Sequence, residues 1–226
     1  MIGRIACVVF DIDDTLYLER DYVLSGFRAV GRWLEESWGI SGFEVVAKEE
    51  YRAGTRGKIF DRAFERLNVP HVSGLVAEAV TRYRRHRPGI TLLEDAFAAL
   101  ESLCGCVQLA AVSDGPLESQ EAKVRALALD RWLQPIVLTA RLGEAFGKPH
   151  RRAFEVVEDA CGFRGEACAY VADNPEKDFA GPKELGWQSV RIRRHGGEHS
   201  REPSGADVDI ELTDLRLFTR VLEGMR

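Results

Sequence analysis

The sequence predicts an α/β protein, a doubly wound parallel sheet with an all-helical region inserted after its first strand. Two observations predict it. Short apolar runs alternate with stretches of helical periodicity from residue 94 to residue 222, and strands separated by helices pair in parallel. Between the first apolar run and that alternation, residues 17 to about 88 show helical spacing and turn signals without a strand-like run. The expected division is a core of residues 1–16 and 89–226 and a helical insert of residues 17–88.

Each element has its own signal. Ile5 to Phe10 is continuously apolar, as a strand buried on both faces should be. Asp21 to Trp38 sets Val23, Phe27, Val30 and Leu34 at helical spacing. Gly39 and Gly42 mark a turn, and residues 43–52, 59–67 and 72–87 read as further helices, broken by Pro70 and closed by Pro88 and Gly89. Residues 94–103 are helical. The run Val107 to Val112 then ends in Ser113, Asp114 and Gly115, and Pro116 opens a helix that reaches Leu127. Strands are expected at 136–138, 169–171, 189–192 and, as an edge, 208–210. Helices are expected at 151–161, at 179–185 (stopped by Gly186) and at 212–222. Arg193 to Gly205 reads as an exposed loop.

Composition narrows the function classes. With 226 residues, 45% hydrophobic and 30% charged, the chain has the profile of an ordinary soluble protein with room for a sizeable core. Lys plus Arg is 31 against 36 Asp plus Glu, a net charge of -5, which argues against a broad nucleic-acid footprint. Asp11 interrupts the only early apolar stretch, so no signal peptide is expected, and no run is long enough to span a membrane. The five cysteines are odd in number and have neither a disulfide framework nor zinc-ligand spacing. A reducing cytoplasm is the expected compartment. The five histidines are scattered, and Arg82 to Arg87 reads as a solvated helix face.

The chemistry collects at strand ends. Asp11, Asp13 and Asp14 crowd the end of the first strand, where repulsion and desolvation oppose them unless a cation is near. Ser113 and Asp173 likewise close apolar strands. Ligands of an open parallel sheet bind outside the carboxyl ends of its strands, so three distant segments deliver polar groups to one edge. Lys148, between a strand and the helix from Arg151, places an ammonium there too. Asp11, Asp13 and Asp173 form a hard oxygen set suited to Mg²⁺.

These residues resemble the haloacid dehalogenase superfamily, phosphatase branch. The resemblance rests on Asp11-Ile12-Asp13-Asp14-Thr15, on Ser113 in VSDG, on Lys148 in GKP and on Asp173 to Asp178, in the family's order over residues 5 to 192. It implies a Rossmann-like core with a helical cap of the C1 type. Asp11 would be the nucleophile that forms an aspartyl-phosphate, and Asp13 the acid and then the base. Ser113 would bind a phosphoryl oxygen, and Lys148 would neutralise charge. Asp11, the Asp13 backbone carbonyl and Asp173 would ligate Mg²⁺. Asp178 would hold a metal-bound water or orient Lys148. Ala172 stands where the family often has glycine. Asp114, Gly115 and, in the insert, Thr55, Arg56 and Lys58 are candidate substrate contacts.

The implied activity is Mg²⁺-dependent hydrolysis of a small phosphorylated metabolite by a monomer or homodimer, without nucleic-acid or membrane partners. Three other readings stay open: a phosphomutase using the same acids, a dehalogenase, which Asp13 disfavours, and a non-catalytic phosphate-binding module.

Overall fold

The computed structural model describes residues 5–69 and 73–224. His71 and the Pro70 break lie outside them, as does Val72, the expected start of a helix.

The chain divides into two compact units, one of residues 1–19 with 91–226 and one of residues 20–90. The first strand, β1 (Cys7–Phe10), leads to α1 (Glu19–Trp38), which crosses the boundary between the units. Helix α1 begins two residues before the periodicity suggested. The reason is Asp14, whose carboxylate accepts the backbone N–H of Glu19 at 2.9 Å, one of the amides a helix start leaves without a partner.

The second unit continues with α2 (Phe43–Arg52), α3 (Ile59–Arg66) and α4 (Leu75–Arg85). Its own core joins Phe27, Val30 and Leu34 of α1 to Phe43, Phe64 and Leu75. An amphipathic stripe on each helix builds it.

The first unit resumes with α5 (Glu94–Leu103), β2 (Gln108–Ser113), α6 (Leu117–Ala126), β3 (Ile136–Leu138), α7 (Arg152–Cys161) and β4 (Cys168–Ala172). It closes with α8 (Ala180–Glu184), β5 (Gln188–Ile192), β6 (Ile210–Leu212) and α9 (Leu215–Gly224). The strands form one sheet in the order β3-β2-β1-β4-β5-β6, with every pairing parallel. Side chains alternate between faces along a strand. Cys7 and Val9, Ala110 and Val112, and Cys168, Tyr170 and Ala172 therefore share one face, covered by Phe154 and Val157 of α7.

The sheet's last strand and helix start two and three residues later than expected. Strand β6 is three residues long and only partly buried, so its apolar pattern is weak. The loop 193–205 is not wholly exposed. Arg194 is buried and donates to the Thr15 carbonyl and to Asp95, and the loop amide of Glu198 donates to Asp14 at 2.8 Å.

Candidate active site

Strand β1 sits between β2 and β4 at the middle of the sheet. Asp11 directly follows it, Ser113 ends β2, and Asp173 directly follows β4. Parallel register puts all three at the same edge: Phe10 pairs with Ala111 and with Val171. The apolar strands are buried to their last residue, so the acids are held at the end of a rigid element.

Lys148 ties the edge together. Its ammonium donates to Asp11 Oδ1 at 2.7 Å and to Tyr170 Oη at 3.1 Å. Asp178 Oδ1 lies 2.7 Å from the same nitrogen, an ion pair whose angle is poor for a hydrogen bond. Asp178 also accepts the Asn174 amide at 2.9 Å, which closes the loop after Asp173. Asp114 fixes the approach of Lys148: its carboxylate accepts the Lys148 backbone N–H at 3.1 Å and the Thr139 hydroxyl at 2.6 Å.

The Asp13 carboxylate meets a different set of partners. Tyr17 donates its hydroxyl to Oδ1. Lys123 Nζ and Gln120 Nε2 reach Oδ2 at 2.7 and 3.1 Å. Ser113 donates to Gln120 Oε1 at 3.0 Å. Gly115, with φ 127°, adopts a backbone that other residues avoid, and a Cβ there would meet Gln120 Nε2 at 2.8 Å.

Electrostatics separates the acids. Burial, aided by Asp178 and Asp13 and opposed by Lys148, pushes Asp11 up to about 7. Asp173 is pushed well above the usual carboxylate range by burial first and then by Asp178 and Asp11. Burial would raise Asp13 as well, but Lys123, Tyr17 and Gln120 overcome it and hold Asp13 below its ordinary value. Lys148 would be lowered by burial, yet Asp11 and Asp178 keep it well above the lysine range.

Asp11, Asp173 and Asp178 each offer an oxygen within 4.8 Å of the others. Three carboxylates face one ammonium there, and none of the described residues donates a hydrogen bond to the Asp173 side chain. That excess of hard oxygen charge fits a divalent cation such as Mg²⁺. The sequence placed Asp178 at the margin of this group; the structure brings its carboxylate into it. Arg56 and Lys58 are exposed in the helical unit. There Arg56 donates to the Tyr51 and Thr55 carbonyls, and buried Thr55 donates to Glu50.

Residues 5–186 match the haloacid dehalogenase-like hydrolase family. The chain belongs to that family. Among curated relatives of this haloacid dehalogenase-like hydrolase is a phosphoserine phosphatase of Thermus thermophilus. It is 31% identical over 188 residues, 81% of this chain and 72% of that protein. A glyceraldehyde 3-phosphate phosphatase of Methanocaldococcus jannaschii is 24% identical over 223 residues, 92% of this chain and 95% of that protein. The fold recurs in the crystal structure of YfnB from Bacillus subtilis bound to magnesium. The TM-score is 0.67 at 19% identity, covering 97% of this chain and 99% of that one.

Sequence reasoning missed Tyr17, Gln120, Lys123 and Tyr170. Gln120 and Lys123 are three apart on α6 and so share a face, but nothing in that spacing names Asp13 as their target. Among the described residues, no helix is long and apolar enough to cross a membrane.

Proposed function

We propose that this hydrolase is a Mg²⁺-dependent phosphatase of small phosphorylated metabolites that works through a phosphoaspartate on Asp11. One observation carries the reading: two carboxylates two residues apart, Asp11 and Asp13, are held by separate lysines, Lys148 and Lys123, each at 2.7 Å. In the substrate-free site Asp11 is the raised acid and Asp13 the lowered one; a cation at Asp11 would hold it ionised as the nucleophile, and a phosphate beside Asp13 would raise it toward the acid form. The phosphatase relatives support the reading.

An Asp11 oxygen attacks phosphorus as the bond to the leaving oxygen breaks, and the Asp13 carboxyl gives that oxygen its proton. The arriving phosphate dianion favours the protonated acid at Asp13. After the leaving group departs, Asp13 takes a proton from water as the water oxygen attacks the aspartyl-phosphate. Free phosphate and the Asp11 carboxylate are regenerated. The Ser113 hydroxyl, which donates to Gln120 in the substrate-free site, would turn its single O–H to a phosphoryl oxygen, and Lys148 offsets charge on Asp11 and the phosphoryl group. Asp11, Asp173 and Asp178, with the Asp13 backbone carbonyl, would hold Mg²⁺, which supplies charge neutralisation and orientation. The helical unit contributes Arg56 and Lys58 as candidates for leaving-group recognition; unchanged kinetics in Arg56→Ala would remove Arg56.

The test is phosphate release from a panel of phosphomonoesters, with Mg²⁺ or EDTA, by the wild type and by Asp11→Asn. Glyceraldehyde 3-phosphate and phosphoserine, named for two of the relatives, are the first panel members to try. Metal-dependent release that is lost in Asp11→Asn is expected. Rearranged substrate without free phosphate would replace the reading with a phosphomutase, and tight phosphate binding without turnover with a binding module.

A further inference from the structure

Helix α6 brings two donors to Asp13 that no motif accounts for. Gln120 and Lys123 are each 2% exposed. A lysine is rarely buried without a paired anion. Lys123 Nζ lies 2.7 Å from Asp13 Oδ2 and 3.9 Å from Glu19 Oε1, and the Glu19 side chain is 38% exposed. Of these two, the Asp13 contact is the closer and the more sheltered. Gln120 uses its whole amide. Its Nε2 donates to Asp13 Oδ2 at 3.1 Å and to the Asp114 carbonyl at 2.7 Å, and its Oε1 accepts Ser113 Oγ at 3.0 Å. That amide joins the segment after β1 to the end of β2, and Gly115 leaves the room it occupies.

We propose that Lys123 and Gln120 are positioning residues for the phosphatase reaction, fixing the Asp13 carboxylate from α6. The inference rests on the phosphatase reading. A carboxylate free to rotate about its two side-chain bonds spends little time aligned with a leaving oxygen. Ammonium and amide donors converging on one oxygen, with Tyr17 on the other, leave one orientation. Misalignment of about an ångström in such a group is costly to rate. Neither Lys123 nor Gln120 need touch substrate to act in this way.

Steady-state kinetics on the best phosphomonoester test the proposal, with Lys123→Met, Lys123→Arg and Gln120→Leu compared with the wild type. Lys123→Met keeps length and burial but removes the donor. The expected result is a kcat lowered by about tenfold or more, with KM and the inhibition constant of inorganic phosphate within about twofold of wild type. Lys123→Arg should recover most of the loss. In an Asp13→Asn background, read with an aryl phosphate whose leaving group needs no proton, Lys123→Met should cost less than about twofold, because coupled residues are not additive. A folded Lys123→Met at wild-type kcat overturns the proposal, as does a loss that is undiminished in Asp13→Asn. Gln120→Leu keeps the ion pair and is read in the same way should Lys123→Met not fold. A wild type that turns over no phosphomonoester overturns the phosphatase reading and this inference together. Turnover that the variants match overturns this inference alone.

Discussion

At the scale of single residues, Tyr170 shows how a side chain beneath the site supports one within it. Its ring packs against Phe154 in the core, with centroids 4.9 Å apart. Its hydroxyl donates to the Val112 carbonyl at 3.2 Å and accepts from Lys148 Nζ at 3.1 Å. Tyr170→Phe keeps the packing and removes both bonds. The expected cost is about 1 kcal/mol of stability, read by urea denaturation, with slower phosphate release because Lys148 loses an anchor. Unchanged turnover would show that Asp11 and Asp178 suffice to place Lys148. Tyr170 also marks where the sequence stops being legible. Asp11, Ser113 and Asp173 can be read because an apolar run ending in a polar group is a local pattern. Tyr170 and Lys123 cannot, since a tyrosine in a strand and a lysine in a helix look the same whether they face a buried charge or water. Only the pairing of distant segments distinguishes them.

At the scale of elements, the short helix α8 is placed by its closeness to the Lys148 segment. A Cβ on Gly181 would lie 2.5 Å from the Pro149 carbonyl oxygen and 3.1 Å from the Phe154 ring. Gly181→Ala must therefore move backbone next to Lys148. A loss of about 1–3 kcal/mol is expected, together with reduced turnover; a variant with wild-type stability would mean that α8 shifts freely. The edge strand β6 is held differently, by charge. Glu211 pairs with Arg193 at 2.7 Å and accepts from Ser204, and these contacts, Arg193 foremost, lower it to about 2. A carboxylate lowered in the fold contributes stability above its unfolded value, near 4.3, and loses it as pH falls through about 2. Because the side chain is 39% exposed, water screens the pair. Glu211→Gln should therefore cost under about 1 kcal/mol at pH 7, shrinking toward zero at pH 2; denaturant midpoints across that range decide it. These contacts set β6 at Ile210–Leu212, two residues after the run the apolar alternation predicts. Its position depends on Arg193 and on the loop before it more than on the apolar alternation that sequence reading follows.

At the scale of the molecule, the site stores repulsion that a cation relieves, and the whole fold should register it. Asp11 is pushed to about 7 by burial, with Asp178 and Asp13 adding to it, and Asp173 is raised well above the usual range. An unfolded aspartate titrates near 4. Below that pH both states hold the proton and the site has no effect on stability. Between about 4 and about 7 the unfolded chain releases its proton while native Asp11 keeps it, so stability falls as pH rises. Above about 7 the Asp11 contribution is constant. Metal-free wild type should thus lose melting temperature relative to Asp11→Asn across that window. On the proposed reading Mg²⁺ would bind the ionised carboxylates, and a ligand that binds only the native state stabilises it in proportion to the logarithm of its concentration. Adding Mg²⁺ at pH 8 should raise the melting temperature of the wild type by several degrees, do little at pH 5, and do little in Asp11→Asn at either pH. A melting curve indifferent to Mg²⁺ at pH 8 would remove the metal from Asp11, Asp173 and Asp178, whatever the turnover assay reports. A response that survives in Asp11→Asn would place the ion on Asp173 and Asp178 without Asp11.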